Sequence, residues 1–198
     1  MTTQAVSAAQ AFISEARRIC AEVEDPATRW AQVEPLLRRL LADPDLKGQS
    51  RDWPVCRHRD DGRAENLLLY EDPDYGFVIN GLIKGPGDRT PIHDHAHLWT
   101  LYGVLEGSET IDRYERLDDG SKEGYAELRK TRDFVVGPGD VDLVPPWQIH
   151  DEANGSERAV AVIVRSGKPG EFLQNRFDPA NNRTWQGYGP HQLPWPLL

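Results

Sequence analysis

The sequence predicts a mainly β protein, an antiparallel sandwich or barrel with a helical segment at its N-terminus. Beyond Ser50 the 198-residue chain consists of short runs rich in Val, Ile, Leu, Tyr and Thr, separated by Gly, Pro, Asp and Asn. Runs so short and so regularly punctuated suit a sandwich or barrel rather than a parallel α/β sheet, whose strands alternate with long helices. Before Ser50 the apolar residues recur at helical spacing instead.

In chain order, Ile13, Ala16, Cys20 and Val23 fall at steps of three and four, one face of a helix over residues 5–23. Asp25 followed by Pro26 is an N-cap with the favoured first-turn proline and opens a second helix. Trp30, Val33, Leu37, Leu40 and Leu41 continue its period, and the run ends before Pro44 and Gly48. Residues 1–50 are thus expected to pack as a helical segment on residues 51–198, the whole forming one domain. Strands are predicted at Asn66–Glu71, Tyr75–Lys84, Leu98–Leu105, Glu109–Arg116, Gly124–Lys130, Val141–Pro145 and Arg158–Val164. The turns between them fall at Asp72-Pro73-Asp74, Gly85-Pro86-Gly87, Asp118-Asp119-Gly120 and Gly137-Pro138-Gly139. After Gly167, a stretch rich in Pro, Asn, Gly and Trp is expected to form an irregular tail over the barrel.

The formal net charge of −9 argues against nucleic acid and anionic membrane as partners, because a like-signed field repels phosphates. A small molecule is the expected partner, and a homodimer is left open. Were that molecule an anion, a local cluster of Arg or Lys must overcome the global field. Cys20 and Cys56 make neither a disulfide framework nor a zinc pattern, and both are expected to be free thiols in a reducing, cytoplasmic compartment. No basic leader with an apolar run opens the sequence, and nowhere are about 18 consecutive residues apolar.

The stretch richest in chemistry runs from Gly87 to Gly107 and holds His93, His95 and His97, three of the chain's six histidines. On an extended strand all three would share one face, with Asp94 and Ala96 pointing away. A second signal, from Gly139 to Asn154, adds His150. Together the two stretches resemble the cupin superfamily. The first cupin motif is a glycine, five residues, His-x-His, four residues, a glutamate, six residues and a glycine. Gly87, His93, His95 and Gly107 match it in register, with Thr100 at the glutamate position. Gly139, Pro145, His150 and Asn154 match the second motif, with Trp147 where a glycine is usual. The resemblance implies a double-stranded β-helix, or jelly-roll barrel, in which His93, His95 and His150 converge as three imidazole ligands. Three neutral ligands leave coordination positions open and leave the full charge of a divalent ion available to an anion.

Within the superfamily, Pro91-Ile92-His93-Asp94-His95 resembles the opening of the thiol dioxygenases, which include cysteine dioxygenase and mercaptopropionate dioxygenase. That resemblance covers about half the chain. It implies Fe(II) as cofactor, O2 as co-substrate and a small carboxylated thiol oxidised to its sulfinate. The departures argue for a mercapto acid rather than cysteine. Thr100 stands where some members carry a cross-linking cysteine, the Ser-x-His-x-Tyr relay is replaced by Ala161-Val162-Ile163-Val164-Arg165, and Asn66 replaces an early carboxylate-binding residue.

Arg165 is the expected carboxylate grip, since alternation with Ala161 and Ile163 turns it inward. Lys84 is a second candidate anchor, whereas Arg89 and Arg113 are expected to be solvated. His97 is expected as a helper beside the metal, Tyr102 as an inward hydroxyl at the active site, and Trp147 with Trp99 as walls that exclude water. His58 and His191 fit no motif. Two other readings stay open: a different metal-dependent cupin enzyme, such as an isomerase, lyase or carbon dioxygenase, and a cupin that binds metal or ligand without turnover.

Overall fold

The structure, a computed structural model, describes residues 7–57, 59–61 and 63–197; Ala5, Val6 and His58 lie outside the described residues. Among the described residues, three helices come first. Ser7 and Gln10 cap each other's backbone at the start of α1 (Ala8–Glu22). The Asp25 carboxylate accepts from the Thr28 N–H at 2.8 Å to start α2 (Pro26–Leu41). A third helix, α3 (Pro44–Ser50), begins where the sequence reading placed only a stop. Asp43-Pro44 repeats the cap-and-proline signal of Asp25-Pro26, and the Asp43 carboxylate accepts from the Leu46 N–H.

Twelve strands follow: β1 (Glu65–Glu71), β2 (Val78–Lys84), β3 (Ile92–His93), β4 (Thr100–Glu106), β5 (Glu109–Arg116), β6 (Leu128–Val136), β7 (Val141–Val144), β8 (Ile149–Asn154), β9 (Ala159–Arg165), β10 (Leu173–Asp178), β11 (Arg183–Tyr188) and β12 (His191–Pro194). They form two six-stranded sheets, ordered β12-β1-β2-β9-β4-β7 and β11-β10-β3-β8-β5-β6. Strands β2 to β9 pair as 2 with 9, 3 with 8, 4 with 7 and 5 with 6. Successive pairs alternate between the sheets, so these eight strands are one long hairpin rolled up, which is the jelly-roll order.

The residues after Gly167 do not form the irregular tail expected of them. They supply β10 and β11 to the edge of one sheet and β12, parallel to β1, to the edge of the other. Their alternation is masked because both edges are half exposed and carry polar side chains on each face. Strand β8 was not among the predicted strands, β3 keeps only Ile92–His93 of the extended stretch expected through His97, and β6 runs Leu128–Val136 rather than 124–130. Five of the nine β6 residues in succession are exposed, so it lacks the buried-face signal of an inner strand.

The two faces of the first sheet have different partners. Val160, Val162 and Val164 join Leu37, Leu40, Leu41 and Ile13 in one apolar core under the helices. Ala161 and Ile163 pack between the sheets with Tyr102, Val104 and Ile111. The inward register expected for Ala161, Ile163 and Arg165 is therefore the one observed.

The two glycines of the first motif both have positive φ but different surroundings. A Cβ on Gly107 (φ +78°) would lie 2.6 Å from the Arg158 carbonyl oxygen, whereas one on Gly87 (φ +75°) meets nothing within 4 Å. Gly107→Ala is expected to cost more than about 2 kcal/mol, combining left-handed strain with a backbone clash, and Gly87→Ala only about 1 kcal/mol. Urea unfolding of the two variants measures the difference, and equal costs would contradict this account.

Candidate metal centre

His93 sits on β3, a strand of two residues held between β8 and β10. It pairs directly with His150 of β8 on one side and Arg176 of β10 on the other. Residues directly opposite on antiparallel strands present their side chains on one face, so His150, His93 and Arg176 form a row. Beyond His93 the strand ends, and Ala96 takes a left-handed φ of 50°. The Asp94 carboxylate fastens this turn outward, accepting from the backbone N–H of Ala96 and Asn175 at 3.0 Å and from Asn175 Nδ2 at 2.7 Å. His95 is thereby directed back to the row.

The ligand atoms of His93, His95 and His150 all lie within 4.8 Å of one another. His93 Nδ1 is 2.8 Å from the Pro91 carbonyl and His150 Nδ1 is 2.8 Å from the Gln148 carbonyl. A carbonyl only accepts, so each Nδ1 carries the proton and each Nε2 presents a lone pair. His93 Nε2 faces His95 Nε2 at 3.2 Å, and at most one hydrogen fits between them. His150 Nε2 is buried with no hydrogen-bond partner. Burial and the neighbouring His150 lower the His93 pKa to about 4, and the same causes, with His93, hold His95 well below the usual range. Neutral imidazoles with converging lone pairs fit a borderline divalent cation.

One carboxylate joins them. Glu152 follows His150 by two residues on β8, and its Oε1 lies 3.3 Å from His150 Nε2. Its Oε2 accepts from the Thr90 hydroxyl at 2.6 Å, which fixes the group. Burial pushes its pKa up, but the Lys84 cation leads the opposing causes and holds it well below the usual carboxylate range. An acceptor facing an acceptor is unfavourable unless a cation stands between them. Thr100, at the motif position usual for glutamate, is fully buried and its hydroxyl has no partner.

Thr90, His93, His95 and Glu152 line a cavity of about 410 Å³ that also receives Asn66, Lys84, Tyr102, Arg165, Gln174 and Arg176; His150 lies beside it without lining it. Arg165 is 5% exposed and donates through Nη1 to Asn80 Oδ1 at 2.6 Å. Burial lowers its pKa to about 10, so it remains a cation. Asn66 is buried with Nδ2 unpartnered. Thr100 pairs with Arg165 on the inner face but does not itself line the cavity.

Other sequence-predicted residues are placed differently. His97 is exposed and packs on Phe172, because the turn at Ala96 breaks the alternation that would have put it beside His95. Trp147 is 57% exposed and outside the cavity lining; its φ of 63° shows why a glycine is usual there. Tyr102 points inward, but its hydroxyl donates to Glu109 at 2.7 Å, and Glu109 in turn pairs with Lys84 at 2.5 Å. Lys84 is thus neutralised from within. Arg113, expected to be solvated, is buried against Asp142 at 2.5 Å, whereas Arg89 is exposed as expected and pairs with Asp151 and Asp112. Among the functional-face residues, Glu152, Gln174 and Arg176 were not anticipated. Glu152 had a signal, a carboxylate at the period-two position after a ligand, whereas Gln174 and Arg176 lie on a strand the sequence did not announce.

No family model matches the chain. It is 26% identical over 104 residues to a 3-hydroxyanthranilate 3,4-dioxygenase of Jannaschia sp. (strain CCS1), and the match covers 52% of this chain and 49% of that one. The chain thus spans about half the length of this curated relative. Among solved structures, it resembles recombinant oxalate oxidase in complex with glycolate (25% identity, TM-score 0.38, 46% of this chain and 42% of that chain). The Cnp3 cupin domain of Schizosaccharomyces pombe is 13% identical with a TM-score of 0.41, over 52% of this chain and 60% of that chain. TT1209 from Thermus thermophilus is 17% identical with a TM-score of 0.43, over 64% of this chain and 98% of that chain.

His150→Ala is expected to abolish stoichiometric binding of Fe(II) measured anaerobically against a chromogenic chelator, and retention of one equivalent would show the ligand set to be wrong. The metal-free protein should also be acid-sensitive. A histidine with pKa about 4 folded and 6.5 unfolded binds fewer protons when folded. Its stabilising contribution is therefore complete above about 6.5 and is lost as the pH falls towards 4. Denaturant titrations of metal-free protein across that window check this, and a flat profile would contradict it.

Proposed function

We propose that this chain is an iron-dependent dioxygenase that oxidises a small carboxylated thiol, a mercapto acid rather than cysteine, to its sulfinate with O2. The observation that carries the proposal is the convergence of three imidazoles, His95 and His150 buried and His93 half-buried, at a cavity that also holds the buried guanidinium of Arg165. Iron at His93, His95 and His150 would acidify a thiol and accept O2 beside it. The overall change places both oxygen atoms of O2 on sulfur and releases the thiol proton.

The chain's own contribution is position. Arg165 offers the guanidinium edge not used by Asn80 to the substrate carboxylate, and Asn80 holds that side chain in one orientation. Asn66 adds an unsatisfied amide from β1 on the same cavity wall. Leu82, Leu98 and Ile163 supply apolar walls that limit competing water. Glu152, fixed by Thr90, keeps a negative charge beside His150 that favours retention of the cation.

A second reading is favoured by the match to 3-hydroxyanthranilate 3,4-dioxygenase: oxygenation of carbon in a small aromatic acid. Both readings use O2 and a carboxylate anchor, and the substrate separates them. With Fe(II)-loaded protein and an O2 electrode, a mercapto acid should give one O2 consumed per sulfinate formed, and 3-hydroxyanthranilate should give none. The reverse result selects the second reading, and silence with both removes the oxygenase proposal. Arg165→Ala should raise KM roughly tenfold or more with iron content unchanged, the loss expected for a charge-assisted hydrogen bond.

A further inference from the structure

We propose that the cavity contains a second anion subsite built on Arg176, so that the substrate is a small dianion whose two carboxylates are held by Arg165 and Arg176. This rests on the carboxylated-substrate reading of the same cavity. The two guanidiniums come from opposite sheets, Arg165 from β9 and Arg176 from β10, and both line the cavity. Register fixes the second: Arg176 is directly opposite His93, so its side chain emerges on the ligand face.

The charges around the cavity are otherwise settled. Lys84 is matched by Glu109, and Arg89 by Asp151 and Asp112. Glu65 at the rim pairs with Arg59, Arg57 and Asp88 are exposed, and Glu152 stands on the metal side against His150. Of the cations that line the cavity, Arg165 and Arg176 alone are partly or wholly buried with no carboxylate partner among the described residues. Arg165 has the neutral Asn80 oxygen, and Arg176 has the Tyr188 carbonyl on Nη2 at 3.0 Å. Arg176 Nε is buried without any partner, as is Asn66 Nδ2 on the facing wall. A buried charge without a counterion is costly, and a monoanion would leave one of the two uncompensated. A dianion neutralises both and brings acceptors to the unsatisfied N–H groups. In a chain of net charge −9 such an internal cationic pair is a selective feature. The substrate class is therefore a short-chain thiol bearing two carboxylates.

The test uses ligands without a thiol, so that it needs no turnover. Calorimetric titration of Fe(II)-loaded protein under argon compares succinate with butyrate. Succinate should bind at least tenfold more tightly, and raised salt should narrow the gap. Arg176→Gln should abolish the succinate advantage while leaving butyrate within twofold of wild type. Arg176→Lys, which keeps the charge, should restore part of it. Arg165→Gln should weaken both ligands. Equal binding of the two acids by the wild-type protein overturns the subsite, and that comparison needs no variant to fold. Arg176→Gln leaving succinate unchanged, or weakening both acids alike, also overturns it. A preference for succinate in a protein that oxidises no thiol would remove the thiol reading and keep the subsite; thiol oxidation with equal binding would do the opposite.

Discussion

The site depends on the pairing of a strand only two residues long. Ile92 and His93 are held between β8 and β10, and the register of those two pairings aligns His150, His93 and Arg176 across one face. A slip of one residue on either side would turn one of these groups to the opposite face. So short a strand cannot set its own register. It is set by the loop that follows, where Asp94 accepts three hydrogen bonds from Ala96 and Asn175 and anchors the turn to β10. The C-terminal strands are therefore part of the metal centre's support.

The electrostatics follow from burial. The chain as a whole carries an excess of negative charge; inside, two ion pairs span the space between the sheets, Lys84 with Glu109 and Arg113 with Asp142. Such pairs repay their desolvation only when matched, and each is matched by hydrogen-bond contact. Against that background the unmatched groups stand out. The imidazole lone pairs and Glu152 call for a cation, and Arg165 with Arg176 call for an anion, within one cavity of about 410 Å³. A metal and an anionic substrate meet both demands together.

Much of this was legible in the sequence because the signals were local or at fixed spacing. The helix cap at Asp25, the inward alternation through Arg165, and the two motif stretches around His93, His95 and His150 required no knowledge of distant contacts. His97 was misplaced because alternation was extended through Ala96, whose left-handed φ ends the strand. Tyr102 was given its direction correctly, but its commitment to Glu109 depends on a partner from the opposite sheet. The tail looked irregular because edge strands have no fully buried face, and the residues it brings to the cavity, Gln174 and Arg176, were lost with it.

The central point of the proposal is that His93, His95 and His150 would hold iron, which would offer a binding position to the substrate's sulfur, with the carboxylates held apart from it by arginine. X-ray absorption at the iron edge, on anaerobic Fe(II)-loaded protein with and without a mercapto dicarboxylic acid, measures this. The account predicts imidazole scattering consistent with three histidines in both samples and a new sulfur neighbour when the thiol is added. An unchanged nitrogen and oxygen shell in the presence of saturating thiol would contradict it.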